Sequence, residues 1–266
     1  MVRLGIILMD IDGAQYMETA THTWLTAAGI ELVPILPTCT GAEAAAYFEY
    51  IHGLYLHPGF AGGTASQAVI QLMNMFMTMA TAAHKAGDYF PVWGTCFGMQ
   101  QMMTFVGGLT GLNSFDSKDY FKRVHGSVSL SNINVSRLLK AAPAKFIHDH
   151  YLPWFNHEEG LTVARFETNK ALKTTFNILA RAHDRTGKEY VALIEGKDRP
   201  WYGCQFHPEY HKPLHETLWL ATFIKDECAK SGHTGFLPKP APRLYPGTCQ
   251  SKHGTLVCLK TAGKDV

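Results

Sequence analysis

The chain opens with LGIILM (Leu4–Met9), an unbroken apolar run. That is the pattern of a strand buried on both faces. Glu18–Ala28 then shows helical spacing and stops at Gly29. ELVPIL (Glu31–Leu36) reads as a second strand, and Pro34 within it points to a sheet edge. Ala42–Tyr50 reads as a helix, and GLYLH (Gly53–His57) as a third strand ended by Pro58-Gly59. Val69, Leu72, Met73, Phe76, Met79, Ala80 and Ala83 recur at helical spacing, and Gly87 closes that helix. Its methionine-rich stripe is read as core packing, since Met fills irregular gaps, rather than as a flexible binding face. Tyr89–Trp93 is a fourth strand, followed by a helix over about Met99–Val106. Strand-helix alternation of this kind predicts an α/β fold: a three-layer sandwich around a central, mostly parallel sheet.

The second half is less regular. NILARAHD (Asn177–Asp184), EYVALIEG (Glu189–Gly196) and WYGCQF (Trp201–Phe206) read as consecutive strands joined by Gly-containing turns. Leu214–Lys225 reads as a closing helix. From Ser231 onward Pro238, Pro240, Pro242 and Pro246 accompany Gly and Lys, so residues 231–266 read as an extended arm following a domain of residues 1–230. No internal repeat is visible.

Composition narrows the function classes. The 266 residues are 46% hydrophobic with a net charge of +2. Lys and Arg are scattered among acids, so no nucleic-acid surface is expected. The greasiest stretch, Ala68–Ala83, is interrupted by Gln71, Asn74, Thr78 and Thr81, and is too short and polar to span a bilayer. Six cysteines (Cys39, Cys96, Cys204, Cys228, Cys249, Cys258) lie far apart with no Cys-x-x-Cys, against a zinc site or a disulfide scaffold. Cys249 and Cys258 are close enough to close a small loop. Met1 leads at once into the first strand with no visible leader, and the sequon Asn134-Val135-Ser136 does not settle the compartment.

The chemistry concentrates in Gly94-Thr95-Cys96-Phe97-Gly98, where a strand hands over to a helix. This is the cysteine form of the Gly-x-Ser-x-Gly nucleophile elbow. Glycines allow so tight a turn, the sulfur is exposed above the sheet edge, and the helix N-terminus favours the thiolate. The Phe97 N–H is placed to donate to an oxyanion. A thiolate nucleophile needs a base. His207, in Phe206-His207-Pro208-Glu209, follows a strand and reaches the same edge, and Glu209 can turn back to fix its tautomer. A metal reading of His207-x-Glu209-x-His211 fails because Pro208 disfavours a helix, and His148-Asp149-His150 is a weak alternative.

These motifs together resemble the class I glutamine amidotransferase-like superfamily, with its flavodoxin-like sandwich and Cys-His-Glu triad. GDYFPVWGTCFGMQ (Gly87–Gln100) is more specifically similar to the nucleophile segment of the gamma-glutamyl hydrolases. GLYLHPGFAGG (Gly53–Gly63) resembles that family's oxyanion strand, FNHEEGLT (Phe155–Thr162) its active-site histidine loop, and EGKDRPWYGCQFHPE (Glu195–Glu209) its His-Pro-Glu segment. The resemblance spans roughly residues 4–225. It implies Cys96 as nucleophile, His207 as base, Glu209 as orienter, His157 near the substrate, and oxyanion donors at Phe97 and around Gly59 and Phe60. Two positions depart from the family: Phe60 replaces the second glycine of Pro-Gly-Gly, and Gln100 replaces an acid four positions after the nucleophile.

The resemblance further implies hydrolysis of gamma-glutamyl amides in folate poly-gamma-glutamates through a Cys96 thioester, with no metal or organic cofactor. Lys118, Lys122 and Arg123 form a basic cluster for an anionic substrate. Family members are often dimeric, and lysosomal, vacuolar or secreted. Two rivals stand beside this reading: a glutaminase subunit feeding ammonia to a synthase, and a catalytically impaired relative serving as a structural or binding subunit, its tail docked on a partner.

Overall fold

The structure is a computed structural model and describes residues 1–11, 14–59, 65–121, 135–147, 153–242, 244–251 and 254–259. Its strands are β1 (Arg3–Ile7), β2 (Met9–Ile11), β3 (Ala14–Glu18), β4 (Glu31–Ile35), β5 (Gly53–Leu56), β6 (Val92–Thr95), β7 (Asn113–Phe121), β8 (Trp154–Gly160), β9 (Phe176–His183), β10 (Glu189–Gly196), β11 (Trp201–Cys204), β12 (Leu244–Ser251) and β13 (Gly254–Leu259). The helices that matter below are α1 (Thr19–Ala27), α2 (Gly41–Tyr50), α3 (Gln67–Lys85) and α4 (Phe97–Gly107). Four short helices follow, α5 (Arg137–Ala141), α6 (Ala144–Ile147), α7 (Val163–Thr168) and α8 (Lys170–Thr175), and then α9 (Leu218–Cys228).

A seven-stranded mixed sheet runs in the order β4-β1-β5-β6-β11-β10-β9. β1 pairs in parallel with β4 and β5, whereas β10 pairs antiparallel with β9 and β11. The chain divides into two compact units, Met1–Val92 with Ile224–Val266, and Trp93–Phe223.

In the first unit, β4 is the edge strand that Pro34 demands, since a proline has no N–H for a further ladder. The apolar run after Leu4 splits: β1 ends at Ile7, and Met9–Ile11 turns into a second sheet of order β12-β13-β3-β2. α2 begins with a capping box, in which Thr40 Oγ1 accepts from the Glu43 N–H and the Glu43 carboxylate accepts from the Thr40 N–H. Val69, Leu72, Met73, Phe76, Met77 and Ala80 bury one face of α3, so Met73 and Met77 are core while Met75 is exposed; Met77 takes the buried place the spacing gave to Met79. The predicted strand at Tyr89–Trp93 lies three residues later, because Pro91 cannot donate to a ladder and instead lends its C=O to the Leu54 N–H at 2.9 Å.

The C-terminal stretch differs from an extended arm. Its start is pinned: His233 Nε2 meets Asp88 Oδ2 at 2.8 Å, and His233 Nδ1 meets the Phe48 and Ile51 carbonyls at 2.8 and 3.0 Å. Further on, β12 and β13 form a hairpin, and β13 pairs antiparallel with β3. The β3 edge supplies unpaired backbone groups that a proline-bearing tail can still satisfy, which composition does not reveal. The side chains of Cys249 and Cys258 lie outside the described residues.

In the second unit, β9, β10 and β11 are the three strands read from the sequence, and Gly187 (φ +87°) makes the β9–β10 turn. The closing helix starts at Leu218, after a short 3-10 turn over Leu214–Glu216. Among the described residues no helix is long and apolar enough to cross a membrane.

Two glycines of the first unit test this packing. A Cβ on Gly53 would lie 2.6 Å from Cys228 Sγ and 2.9 Å from the Pro91 carbonyl oxygen, whereas a Cβ on Gly41, the first residue of α2, meets nothing. Gly53→Ala is expected to cost about 1–3 kcal/mol. Gly41→Ala is expected to add about 0.4–1 kcal/mol by restricting the unfolded chain. Urea unfolding of the two variants checks both signs.

Candidate active site

β6 ends at Thr95 and α4 begins at Phe97, leaving Cys96 alone to make the turn. Its backbone sits at φ +47°, ψ −108°, a region a side-chain-bearing residue enters only when its surroundings force it. The force is steric. A Cβ on Gly94 would fall 2.6 Å from the Gly98 carbonyl carbon and the Met99 nitrogen, so strand and helix backbones are in near contact. The Cys96 N–H donates to the Cys204 carbonyl at 2.7 Å, which sets the ends of β6 and β11 side by side. As the first residue of α4, Phe97 has an N–H without an intrahelical acceptor.

From Cys204 the chain continues through Gln205 and Phe206 to His207, whose N–H donates to the Trp154 carbonyl at 2.9 Å. Pro208 opens a single 3-10 turn, Pro208–Tyr210, that folds Glu209 back beneath the imidazole. His207 Nδ1 and Glu209 Oε1 are 2.8 Å apart, and both side chains are buried. Nε2 is therefore the ring atom left to face the thiol. Burial opposes an imidazolium here, but the negative charges of Cys96 and Glu209 outweigh it and hold His207 well above the ordinary histidine range.

His157 lies on β8, a strand paired with β7, rather than in a loop. It is buried among the rings of Tyr190, Phe115 and Phe155, with centroids 4.8, 6.1 and 5.8 Å away. Nδ1 meets the Glu159 carbonyl at 2.9 Å, so Nδ1 carries the proton. Nε2 is then a buried acceptor with no partner among the described residues. Desolvation pushes the pKa down to about 4, and the charge on His207 adds to that effect, so His157 is neutral.

Gln100, on the first turn of α4, donates from Nε2 to the Glu159 carbonyl at 2.6 Å and, more weakly, to Gln205 Oε1 at 3.4 Å. Gln205 in turn donates from Nε2 to Cys96 Sγ at 3.4 Å. Sequence reasoning had chosen histidines and acids by type and passed over Gln205. Gln205 lies just past the end of β11, where the chain bends on its way to His207, so no local alternation marks it. Beside it, the Cys204 sulfur meets the Phe206 carbonyl at 3.3 Å and burial pushes its thiol far up.

Gly59 follows β5 in the first unit with φ +88°, and its N–H donates to His57 Nδ1 at 3.1 Å. Phe60, Lys122, Arg123 and His148-Asp149-His150 lie outside the described residues. Lys118 is exposed on β7 and faces Glu158 at 3.6 Å, an ordinary surface pair. His211 turns to Glu216 Oε2 at 2.8 Å rather than towards His207. Among the described residues no three His, Cys, Asp or Glu side chains converge on a metal-sized centre.

The family model "Glutamine amidotransferase class-I" matches residues 25–226. Gamma-glutamyl hydrolase of Mus musculus is 30% identical over 254 residues, covering 86% of this chain and 78% of its own length. Gamma-glutamyl hydrolase B of Dictyostelium discoideum is 28% identical over 241 residues, covering 83% of this chain and 68% of its own length. Among solved structures, the glutaminase domain of Trypanosoma brucei CTPS with bound acivicin superposes with a TM-score of 0.61 over 91% of this chain and 98% of that one, at 14% identity, and so shares the fold. With an elbow cysteine, a buried His-Glu pair and matches along most of its length, the chain belongs to the gamma-glutamyl hydrolase family of the class-I glutamine amidotransferase fold.

Proposed function

We propose that the protein is a cysteine hydrolase that cleaves gamma-glutamyl amide bonds of folate poly-gamma-glutamates. The observation that carries the chemistry is the buried His207–Glu209 pair beside a thiol held on a positive-φ turn. The substrate class comes from the relatives, which are named gamma-glutamyl hydrolases.

The Cys96 thiolate attacks the side-chain carbonyl of a glutamyl residue, forming a C–S bond and an oxyanion. The Phe97 N–H is the donor suited to that oxyanion, because it lies at the N-terminus of α4 next to the nucleophile. A second donor is assigned to residues 59–60 by resemblance. His207 gives its Nε2 proton to the leaving amine as the C–N bond breaks. It then takes a proton from water, which attacks the thioester and returns the electron pair to sulfur. Glu209 holds the Nδ1 proton throughout and stabilises the charged ring.

The glutamyl end needs acceptors for an α-ammonium. Two are unspent: His157 Nε2, and Gln100 Oε1, which accepts no hydrogen bond among the described residues. A neutral histidine serves here, since an imidazolium would repel the ammonium. Gln100 offers a dipole where the family has a charge, which predicts weaker attraction and not loss of the site.

Purified protein is expected to release glutamate from a pteroyl poly-gamma-glutamate, with the rate falling by ~10³-fold or more in Cys96→Ala. Release without any synthase partner excludes the ammonia-feeding role. No release, together with a Cys96 inert to alkylation at neutral pH, moves the protein to a structural subunit.

The neutral state of His157 has its own signature. The unfolded chain takes up a proton near the ordinary value of 6.5, whereas the folded chain resists it down to about 4. Stability contributed by the neutral ring is therefore complete above that window and lost as pH falls through it, by on the order of 3 kcal/mol. The stability gap between wild type and His157→Asn, followed by urea unfolding between those two pH values, is expected to shift in favour of the variant as pH falls. A pH-independent gap would show that His157 titrates normally.

A further inference from the structure

The side-chain amides behind the thiol have a direction, and it can be worked out from one end. The Glu159 carbonyl can only accept. It takes the His157 Nδ1 proton and one Gln100 Nε2 proton. That fixes which end of the Gln100 amide is nitrogen. The second Gln100 N–H points at Gln205 Oε1, so the other end of Gln205 must be nitrogen, and it faces Cys96 Sγ. Turning the Gln205 amide over would set N–H against N–H at Gln100 and a carbonyl oxygen against the sulfur. Turning Gln100 over would set two carbonyl oxygens together at Glu159. Gln100 and Gln205 are both buried, so water does not freely take over either role.

We infer that Gln100 and Gln205 form an amide relay of fixed polarity that presents an N–H donor to the Cys96 thiolate, with Gln205 bonding the sulfur and Gln100 acting as the positioning residue that keeps the donor turned towards it. The catalytic meaning of the relay rests on the cysteine-hydrolase reading. Its direct effect is on the thiol and is present without substrate. A hydrogen bond to a charged acceptor is stronger than one to the neutral thiol, so the relay favours thiolate. His207 stabilises the same charge but must leave it to protonate the amine. Gln205 has no proton to transfer, so its donor is still in place when the thioester C–S bond breaks and the electron pair returns to sulfur. The relay also explains why position 100 carries an amide: a carboxylate there has no donor for Glu159 or for Gln205 Oε1.

The other groups around the sulfur are His207 with Glu209 behind it, neutral His157, and Cys204 and Tyr190, whose own ionisations are pushed up mainly by burial and in part by Cys96. All stay constant in the variants below.

The experiment is iodoacetamide alkylation of the full-length protein as a function of pH, with modification at Cys96 followed by peptide mapping. Mapping separates it from Cys39, whose thiol burial and Glu43 push up to about 11, and from the other cysteines. Gln205→Met keeps the volume and removes the donor. It is expected to raise the alkylation midpoint of Cys96 by about one pH unit, or roughly tenfold less thiolate on the acid side. Gln100→Met is expected to move it less in the same direction, and Gln100→Glu more than Gln100→Met, because an acceptor at position 100 attracts Gln205 Nε2 and turns its oxygen towards the sulfur. Gln100→Met combined with Gln205→Met is expected to match Gln205→Met alone. Profiles that superimpose on wild type in variants of unchanged Tm, or shifts that simply add, would overturn the relay. If Gln205→Met does not fold, Gln205→Glu, of equal size, carries the same test with the same expected direction. Shifted profiles in a protein that releases no glutamate would sustain the relay and remove the substrate reading instead.

Discussion

The close approach of two backbones at Gly94 and Gly98 is the constraint on which the rest of the site depends. A strand that passes straight into a helix must reverse its peptide direction within one residue, and Cys96 absorbs that change at positive φ. A bulkier residue at position 94 would drive β6 and α4 apart. The strain at Cys96 is of order 1–3 kcal/mol and is tolerated because flanking ladders over-determine the turn. What the strain secures is a sulfur next to the unsatisfied N–H groups of a helix N-terminus, with a neighbouring strand end bringing His207 alongside.

Burial then sets the electrostatics. His207 and Glu209 are almost fully withdrawn from water, a costly place for charge unless each has a partner. They partner each other through Nδ1 and Oε1. His157, on β8, is buried too, and there the charge of Asp184 does not offset desolvation and the repulsion of His207, so it stays neutral. Two buried histidines in the same unit are therefore driven in opposite directions by how much negative charge acts on each. Buried side-chain atoms of this unit without partners among the described residues include His157 Nε2, His207 Nε2 and Glu209 Oε2. Native interiors leave few such atoms unmet, and where they gather, a ligand or reacting group is the usual reason.

Much of this was legible in the chain. The first half alternates strand and helix with clear stops at Gly29 and Gly87, and local hydrophobic period decides such elements. The elbow was legible because its glycine spacing has one steric purpose. The candidate cluster of Cys96, His207 and Glu209 was legible because His-Pro-Glu follows a strand, and strand ends share an edge. The strand at Val92 was placed too early because hydrophobicity continues through Pro91, and only the missing N–H marks the true start. The tail was misread because β13 finds its partner in β3, a pairing more than two hundred residues distant that no local pattern encodes.

By itself, then, the sequence determined the sandwich and marked Cys96, His207 and Glu209 as the candidate site, since each depends on short-range period, spacing and residue chemistry. Only the tertiary structure decided the protonation states and the hydrogen-bond directions. His157 is neutral because of which rings bury it, and Gln205 is a donor to sulfur because a carbonyl on β8 orients Gln100 first. Both effects arise from groups brought together across long stretches of chain, and neither desolvation nor the polarity of an amide can be read from a letter without its neighbours.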